Sequence, residues 1–295
     1  MAGTIATWQL DGRRRRTALD WSPSRAREID AGLHVRRLGT SGPVLLLLHG
    51  LTASGRFWGD SCDTLAAGSC VVIPDLLGFG RSPKPESGYR ADDHVDALLD
   101  CLERFGLSDA PLVIGAHSLG TLIALRLAVR RGPQVHSIVA FSPPLYADWN
   151  AAVAAMRRLG PMARLSAIHQ GAAHATCNWV CAHRRAAAAI AVTLAPALPR
   201  ALTIDSVAHT WASFSETLEV IFGAEGSDWL DHSDVSFHLI AGGLDPIIDR
   251  TYLTELTTTH RNVTLDVWPD AGHLLPLGHG AAMKALLDDR LRQVT

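Results

Sequence analysis

The run Val44-Leu45-Leu46-Leu47-Leu48 has no polar position on either face of an extended chain, so a strand made of it must be covered on both sides. Apolar runs recur at Cys70-Val71-Val72-Ile73 and Pro111-Leu112-Val113-Ile114-Gly115, and Val135–Phe141 reads as a further strand. After a long interval the strand rhythm resumes at Ser236–Ala241 and Val263–Val267. Between these runs lie stretches with helical spacing. Phe57–Ala67 is one, Thr121–Ala128 another, and Asp93–Phe105 places Val95, Leu98, Leu99 and Leu102 on one face. Short strands buried on both faces, alternating with amphipathic helices, are satisfied by a mostly parallel sheet with helices packed on each side. Leu33–Leu38 alternates instead, and suits a strand at the edge of such a sheet. Residues 143–222 break the rhythm: they are rich in alanine, helical in character and punctuated by Pro161, Pro196 and Pro199. The expected organisation is an α/β core from residues 1–142 and 223–295, with a helical insertion at 143–222.

Composition narrows the function classes. With 47% hydrophobic and 19% charged residues, the 295-residue chain can bury a sizeable core. A net charge of -2 gives no general attraction to nucleic acid or to an anionic membrane. The run Arg13–Arg16 has no interleaved aromatic residues and no second basic patch, and reads as a solvated turn. The sequence shows no basic-then-apolar leader and no run near the ~18 apolar residues of a membrane helix. Five scattered cysteines are a poor disulfide framework. The expectation is a cytoplasmic protein that binds neither nucleic acid nor membrane, with a homodimer left open.

Chemistry concentrates at Ala116-His117-Ser118-Leu119-Gly120, between an apolar strand and a helix. A serine on so tight a turn needs small residues two before and two after it, because larger side chains would meet the backbone. Its hydroxyl is a poor nucleophile until a base takes the proton, and a carboxylate must orient that base. Asp245 ends the Ser236–Ala241 strand in Gly242-Gly243-Leu244-Asp245-Pro246, and His273 follows the next strand in Ala271-Gly272-His273. Loops at the carboxyl ends of parallel strands share one crevice, so Ser118, Asp245 and His273 can meet there. An oxyanion formed at Ser118 requires backbone N–H donors; Leu119, next in the chain, and Leu51, in the loop after Val44–Leu48, are the expected pair.

Asp249 and Asp148 are rival acids, but neither ends a strand as directly as Asp245. His232, His238 and His279 lack the context of His273. His49 and His117 read as supports that orient backbone, Asp75 as the brace of its Gly78/Gly80 loop, and Asp270 as part of a turn. Cys177 and Cys181 share a helix face with His174 nearby. That spacing is compatible with zinc, and equally with small thiols packed inside a helix.

Five motifs in order carry a resemblance: His49-Gly50, Asp75-Leu76-Leu77-Gly78-Phe79-Gly80-Arg81-Ser82, the turn at Ser118, Asp245, and Ala271-Gly272-His273. With these the sequence resembles the α/β-hydrolase superfamily, in its serine-nucleophile, capped, esterase-like form. The resemblance implies an eight-stranded, mostly parallel sheet, a Ser–His–Asp triad and a helical cap supplied by the insertion. It implies no metal or organic cofactor. Ser118 argues against the epoxide hydrolases and haloalkane dehalogenases, whose nucleophile is aspartate. Leu51-Thr52-Ala53-Ser54 and Thr121 stand where the C–C hydrolases of vinylogous diketones carry further glycines. The expected activity is hydrolysis of an ester, lactone or thioester with an apolar part. The alternatives are C–C hydrolysis, or a ligand-binding or biosynthetic protein that retains the triad. Trp149, Trp179 and Trp211 are the expected lining of an apolar substrate pocket.

Overall fold

The computed structural model describes residues 19–158, 170–223 and 226–294. Arg13–Arg16 and Pro161 lie outside the described residues. Eight strands form one sheet in the order β1-β2-β4-β3-β5-β6-β7-β8. They are β1 Arg27–Ala31, β2 Leu33–Leu38, β3 Val44–Leu48, β4 Cys70–Pro74, β5 Leu112–His117, β6 Val135–Phe141, β7 Ser236–Gly242 and β8 Val263–Trp268. The first two pairings, β1 with β2 and β2 with β4, are antiparallel, and all others are parallel.

The leucine run shows why the sheet needs two covers. Leu46 and Leu48 pack toward one apolar layer with Leu98, Leu102, Ile123 and Leu127. Leu45 and Leu47 face the opposite layer with Trp58, Phe141, Met283 and Leu287. The first layer is built by α1 (Ala91–Arg104) and α2 (Leu119–Arg131), the second by the C-terminal α11 (Gly280–Arg292). Each of those leucines is essentially inaccessible. Burying one such side chain contributes about 1.5–3 kcal/mol.

Two expectations are corrected. Leu33–Leu38 is not the edge strand; β1 lies outside it and carries the exposed polar positions that blunt a free edge. Phe57–Ala67 is not one helix but two 3-10 turns, Gly55–Trp58 and Asp63–Ala67. The break is Gly59, at φ 57°, where a Cβ would lie 2.8 Å from the Ser22 carbonyl oxygen.

Between β6 and β7 the chain forms only helices among the described residues: α3 (Trp149–Arg157), α4 (Gln170–Ala182), α5 (Arg184–Leu194), α6 (Arg200–Asp205), α7 (Trp211–Phe222) and α8 (Gly226–Asp231). Polar ties join this insertion to the core. Glu216 on α7 accepts from the Gly88 and Tyr89 N–H groups at 3.0 and 3.1 Å. Thr217 Oγ1 lies 3.2 Å from His94 Nε2 on α1. Asp205 at the end of α6 accepts from Ser54 Oγ at 2.6 Å and pairs with Arg56 at 3.6 Å. After β7 and β8 come α9 (Arg250–Thr259), α10 (Leu275–Gly278) and α11. No helix among the described residues is long and apolar enough to cross a membrane.

Candidate active site

Ser118 sits between β5 and α2 with φ 49° and ψ −122°, a backbone conformation that L-residues rarely adopt. Its N–H is held by the Phe141 carbonyl at 2.9 Å, and its carbonyl accepts from Thr121 N–H at 2.8 Å. The small-residue requirement is visible on both sides. Ala116 is fully buried between Leu48 and Ala140 on the neighbouring strands. A Cβ on Gly120 would lie 2.5 Å from the Leu48 carbonyl oxygen.

Asp245 and His273 are brought together by two loops in close contact. Gly243 N–H bonds the Trp268 carbonyl and Leu244 N–H the Ala271 carbonyl, at 2.8 and 2.9 Å. Cβ atoms on Gly242 and Gly243 would stand 2.5 and 2.4 Å from backbone oxygens of the facing loop, so these glycines permit the approach. His273 Nδ1–H donates to Asp245 Oδ2 at 2.9 Å, leaving Nε2 as an acceptor 3.1 Å from Ser118 Oγ. All three side chains are buried. Gly50 abuts the same point: a Cβ there would lie 3.2 Å from Ser118 Cβ. Leu51 and Leu119, next to Gly50 and Ser118, have backbone N–H groups without a hydrogen bond among the described residues.

A family model described as "Alpha/beta hydrolase family" matches residues 45–286, which run from β3 through β8 and include the insertion and all three of these side chains. The chain belongs to the α/β-hydrolase family. It is 39% identical over 117 residues to the lipase LipV of Mycobacterium tuberculosis, a match covering 39% of this chain and 43% of that protein. It is 38% identical over 110 residues to a haloalkane dehalogenase of Mesorhizobium japonicum, covering 36% of this chain and 34% of that protein. These matches span less than half the length of either relative. Among solved structures, E-2-(acetamidomethylene)succinate hydrolase superposes with a TM-score of 0.70 at 19% identity, covering 90% of this chain and 98% of that one. That likeness is one of fold.

In this α/β-hydrolase the rival groups have other work. Asp249 caps α9 by accepting from Tyr252 N–H at 3.1 Å, and Asp148 accepts from Ala151 N–H at 2.8 Å before α3. Asp75 accepts from Gly55 and Arg81 N–H, both at 2.7 Å, and so braces its loop. His49 accepts from Leu76 N–H at 2.9 Å. His238 pairs with Asp266, His232 bonds the Asp228 carbonyl, and His279 packs on Trp268. His174 bonds Asn178, and Cys181 Sγ lies 3.3 Å from the His209 carbonyl oxygen. Among the described residues no group of three or more potential ligands stands close enough to hold a metal ion.

Burial works against the Asp245 carboxylate. The facing His273 and the Ile247 N–H outweigh it and hold the acid below its ordinary pKa. Ser142 escaped the sequence reading, although it ends β6 as Ser118 ends β5. Among the described residues, the non-glycine positions with positive φ are Thr52, Ser118 and Ser142, which follow the adjacent strands β3, β5 and β6. The three tryptophans lie on the inserted helices. Trp149 is 55% exposed against Phe222 and Trp179 is 44% exposed against His183, while Trp211 is half-buried beside His174 and Phe214. Helical spacing alone does not say which face of an inserted helix turns inward.

Proposed function

We propose that the protein is a serine hydrolase of carboxylic esters, lactones or thioesters with an apolar acyl or alcohol part. One observation carries this reading: the unbroken hydrogen-bonded series Asp245–His273–Ser118. His273 Nε2 takes the Ser118 proton as Oγ attacks the carbonyl carbon, and Asp245 stabilises the imidazolium. Leu51 and Leu119 N–H groups bind the oxyanion; removing one such donor typically costs about 2.7–4 kcal/mol of transition-state stabilisation. His273 then protonates the leaving group. Water, deprotonated by the same imidazole, releases the acyl group. The similarity to a lipase supports the reading. The similarity to a dehalogenase covers a part of the chain, and a serine stands at position 118 where that chemistry uses aspartate.

The helices between β6 and β7 act as a lid over the crevice in this proposal. Ser213 on α7 lies against Gly78 and Asp205 on α6 holds the loop after β3, both at the carboxyl edge of the sheet. In this reading Trp211, on the same helix as Ser213, lines the apolar part of a substrate.

A fluorophosphonate probe tests the reaction class. The wild-type protein should become labelled and Ser118→Ala should not; equal labelling of both, or none of the wild type, ends the serine-hydrolase reading. A nitrophenyl ester assayed against a vinylogous diketone separates ester from C–C hydrolysis.

A further inference from the structure

His117 is buried, lies next to the nucleophile and has no part in the triad. Its Nε2–H donates to the main-chain carbonyl of His273 at 2.8 Å. One ring face is stacked on Phe57, centroid to centroid 4.4 Å, and the His273 ring stands 5.1 Å away. Phe57 lies in the turn Gly55–Trp58, a few residues beyond Leu51 in the loop after β3. The second ring nitrogen, Nδ1, is buried without a hydrogen-bond partner among the described residues, and a Cβ on Gly50 would lie 2.9 Å from it. The imidazole is therefore in contact with the loop that bears Leu51, the loop that bears His273 and the turn that bears Ser118.

We propose that His117 is a positioning residue that fixes the base and the oxyanion loop relative to the nucleophile. The inference rests on the serine-hydrolase reading above. His273 follows Gly272, where a Cβ would meet no atom within 4 Å, so no side chain packs beside the base at that position. The imidazole of His273 must hold Nε2 on Ser118 through a cycle in which the proton leaves and returns, and its backbone is held from the Ser118 side by one donor. A misplacement of about 1 Å in such a constellation can cost 10²-fold in rate. A neutral ring suits this position. Burial, and then the neighbouring His273, push the His117 pKa down to about 3, so His117 adds no charge beside the imidazolium that forms on His273. A lysine or arginine in its place would supply the donor but oppose that charge. An aromatic hydrocarbon would keep the stack on Phe57 and lose the donor.

These alternatives define the test. His117→Phe retains the stack and drops the hydrogen bond; His117→Gln presents an N–H near the Nε2 position and drops the ring. On a nitrophenyl ester, His117→Phe should lower kcat about 10- to 100-fold with KM within about twofold. The rate constant for fluorophosphonate labelling should fall by the same factor. His117→Gln should recover most of that loss even where its melting temperature is no higher than that of His117→Phe. A kcat for His117→Phe equal to that of the wild type overturns the proposal. So does a kcat that follows melting temperature across both variants, which would mark His117 as a packing residue only. If His117→Phe does not fold, His117→Gln set against His117→Met makes the same donor comparison. Failure of the wild type to react with the probe at all would fall on the serine-hydrolase reading, whereas equal labelling of wild type and His117→Phe would fall on His117 alone.

Discussion

The sheet core and the helical insertion are held by different kinds of interaction. In the core, β3, β4 and β5 are buried at every position, and Ser118 follows β5 with its N–H on the Phe141 carbonyl. In the insertion, the buried side chains of α4 and α5 include Ala173, Cys177, Ala187 and Ala191, which offer little apolar area. Its last helices join the apolar cluster of the core through Ile221, Phe222, Trp229 and Leu230, and polar contacts of Glu216, Thr217 and Asp205 add to that attachment. A close-packed sheet resists change at any position, while a polar seam tolerates exchange of the helices it joins. Under the proposed function, the reaction can be kept constant in one region while specificity varies in the other.

That division is broken most severely from the core. Asp245→Asn should lower kcat about 10⁴-fold on every ester tried, because an amide orients His273 in the wrong tautomer. Steady-state kinetics on a series of chain lengths checks this; a loss confined to some esters would place substrate recognition at the triad itself.

Acid weighs the two regions together. Burial holds His94 and His117 of the core at about 3 and His209 of the insertion at about 4, against an ordinary value of 6.5. Below pH 6.5 the unfolded chain takes up protons that these folded sites refuse. Their contribution to stability is thus complete above pH 6.5 and declines as the pH falls toward 3 to 4. Within that window each histidine adds a slope of about 1.4 kcal/mol per pH unit. Asp245 acts in the same direction at lower pH: its lowered pKa stabilises the fold above its ordinary 3.8, and that contribution is lost as the pH falls below it. Urea denaturation from pH 7 to pH 4 should show the decline, and His94→Gln should make it shallower by one proton.

The seam is the next place to cut. Glu216→Ala leaves the Gly88 and Tyr89 N–H groups without their acceptor and should cost about 1–3 kcal/mol. Protease cleavage within 143–222 should speed up while fluorophosphonate labelling of Ser118 persists. Labelling lost in step with cleavage would show that the two regions do not act separately. The smallest effect belongs to the tryptophans. Trp211→Ala should change the ratio of kcat/KM between long and short acyl esters by a few fold, about 1 kcal/mol. Trp149→Ala, at the exposed face, should leave that ratio unchanged.

Much of the core was legible because a two-sided buried strand leaves a continuous apolar run. The bounds anticipated for Val44–Leu48 and Val135–Phe141 coincide with β3 and β6, and the others fall within a few residues. The order of Ser118, Asp245 and His273 along the chain also anticipated the side chains that come within hydrogen-bond distance. What stayed hidden depends on contacts between distant segments. That Asp205 would bond Ser54, or that His117 would reach the carbonyl of His273, leaves no local pattern. The β2 and Phe57–Ala67 misreadings have the same origin. An edge position is decided by which strand lies outside it, and Gly59 breaks the helix because of Ser22.

The strained positions Thr52, Ser118 and Ser142 stand in a row, since β3, β5 and β6 are neighbours in the sheet. Residues in such conformations cost of order 1–3 kcal/mol each, and only a stiff surround keeps them there. On warming, a rim under that tension relaxes before the strands beneath it separate. Heat should therefore silence this protein some degrees before it melts, with the sheet still intact and the fold able to recover on cooling.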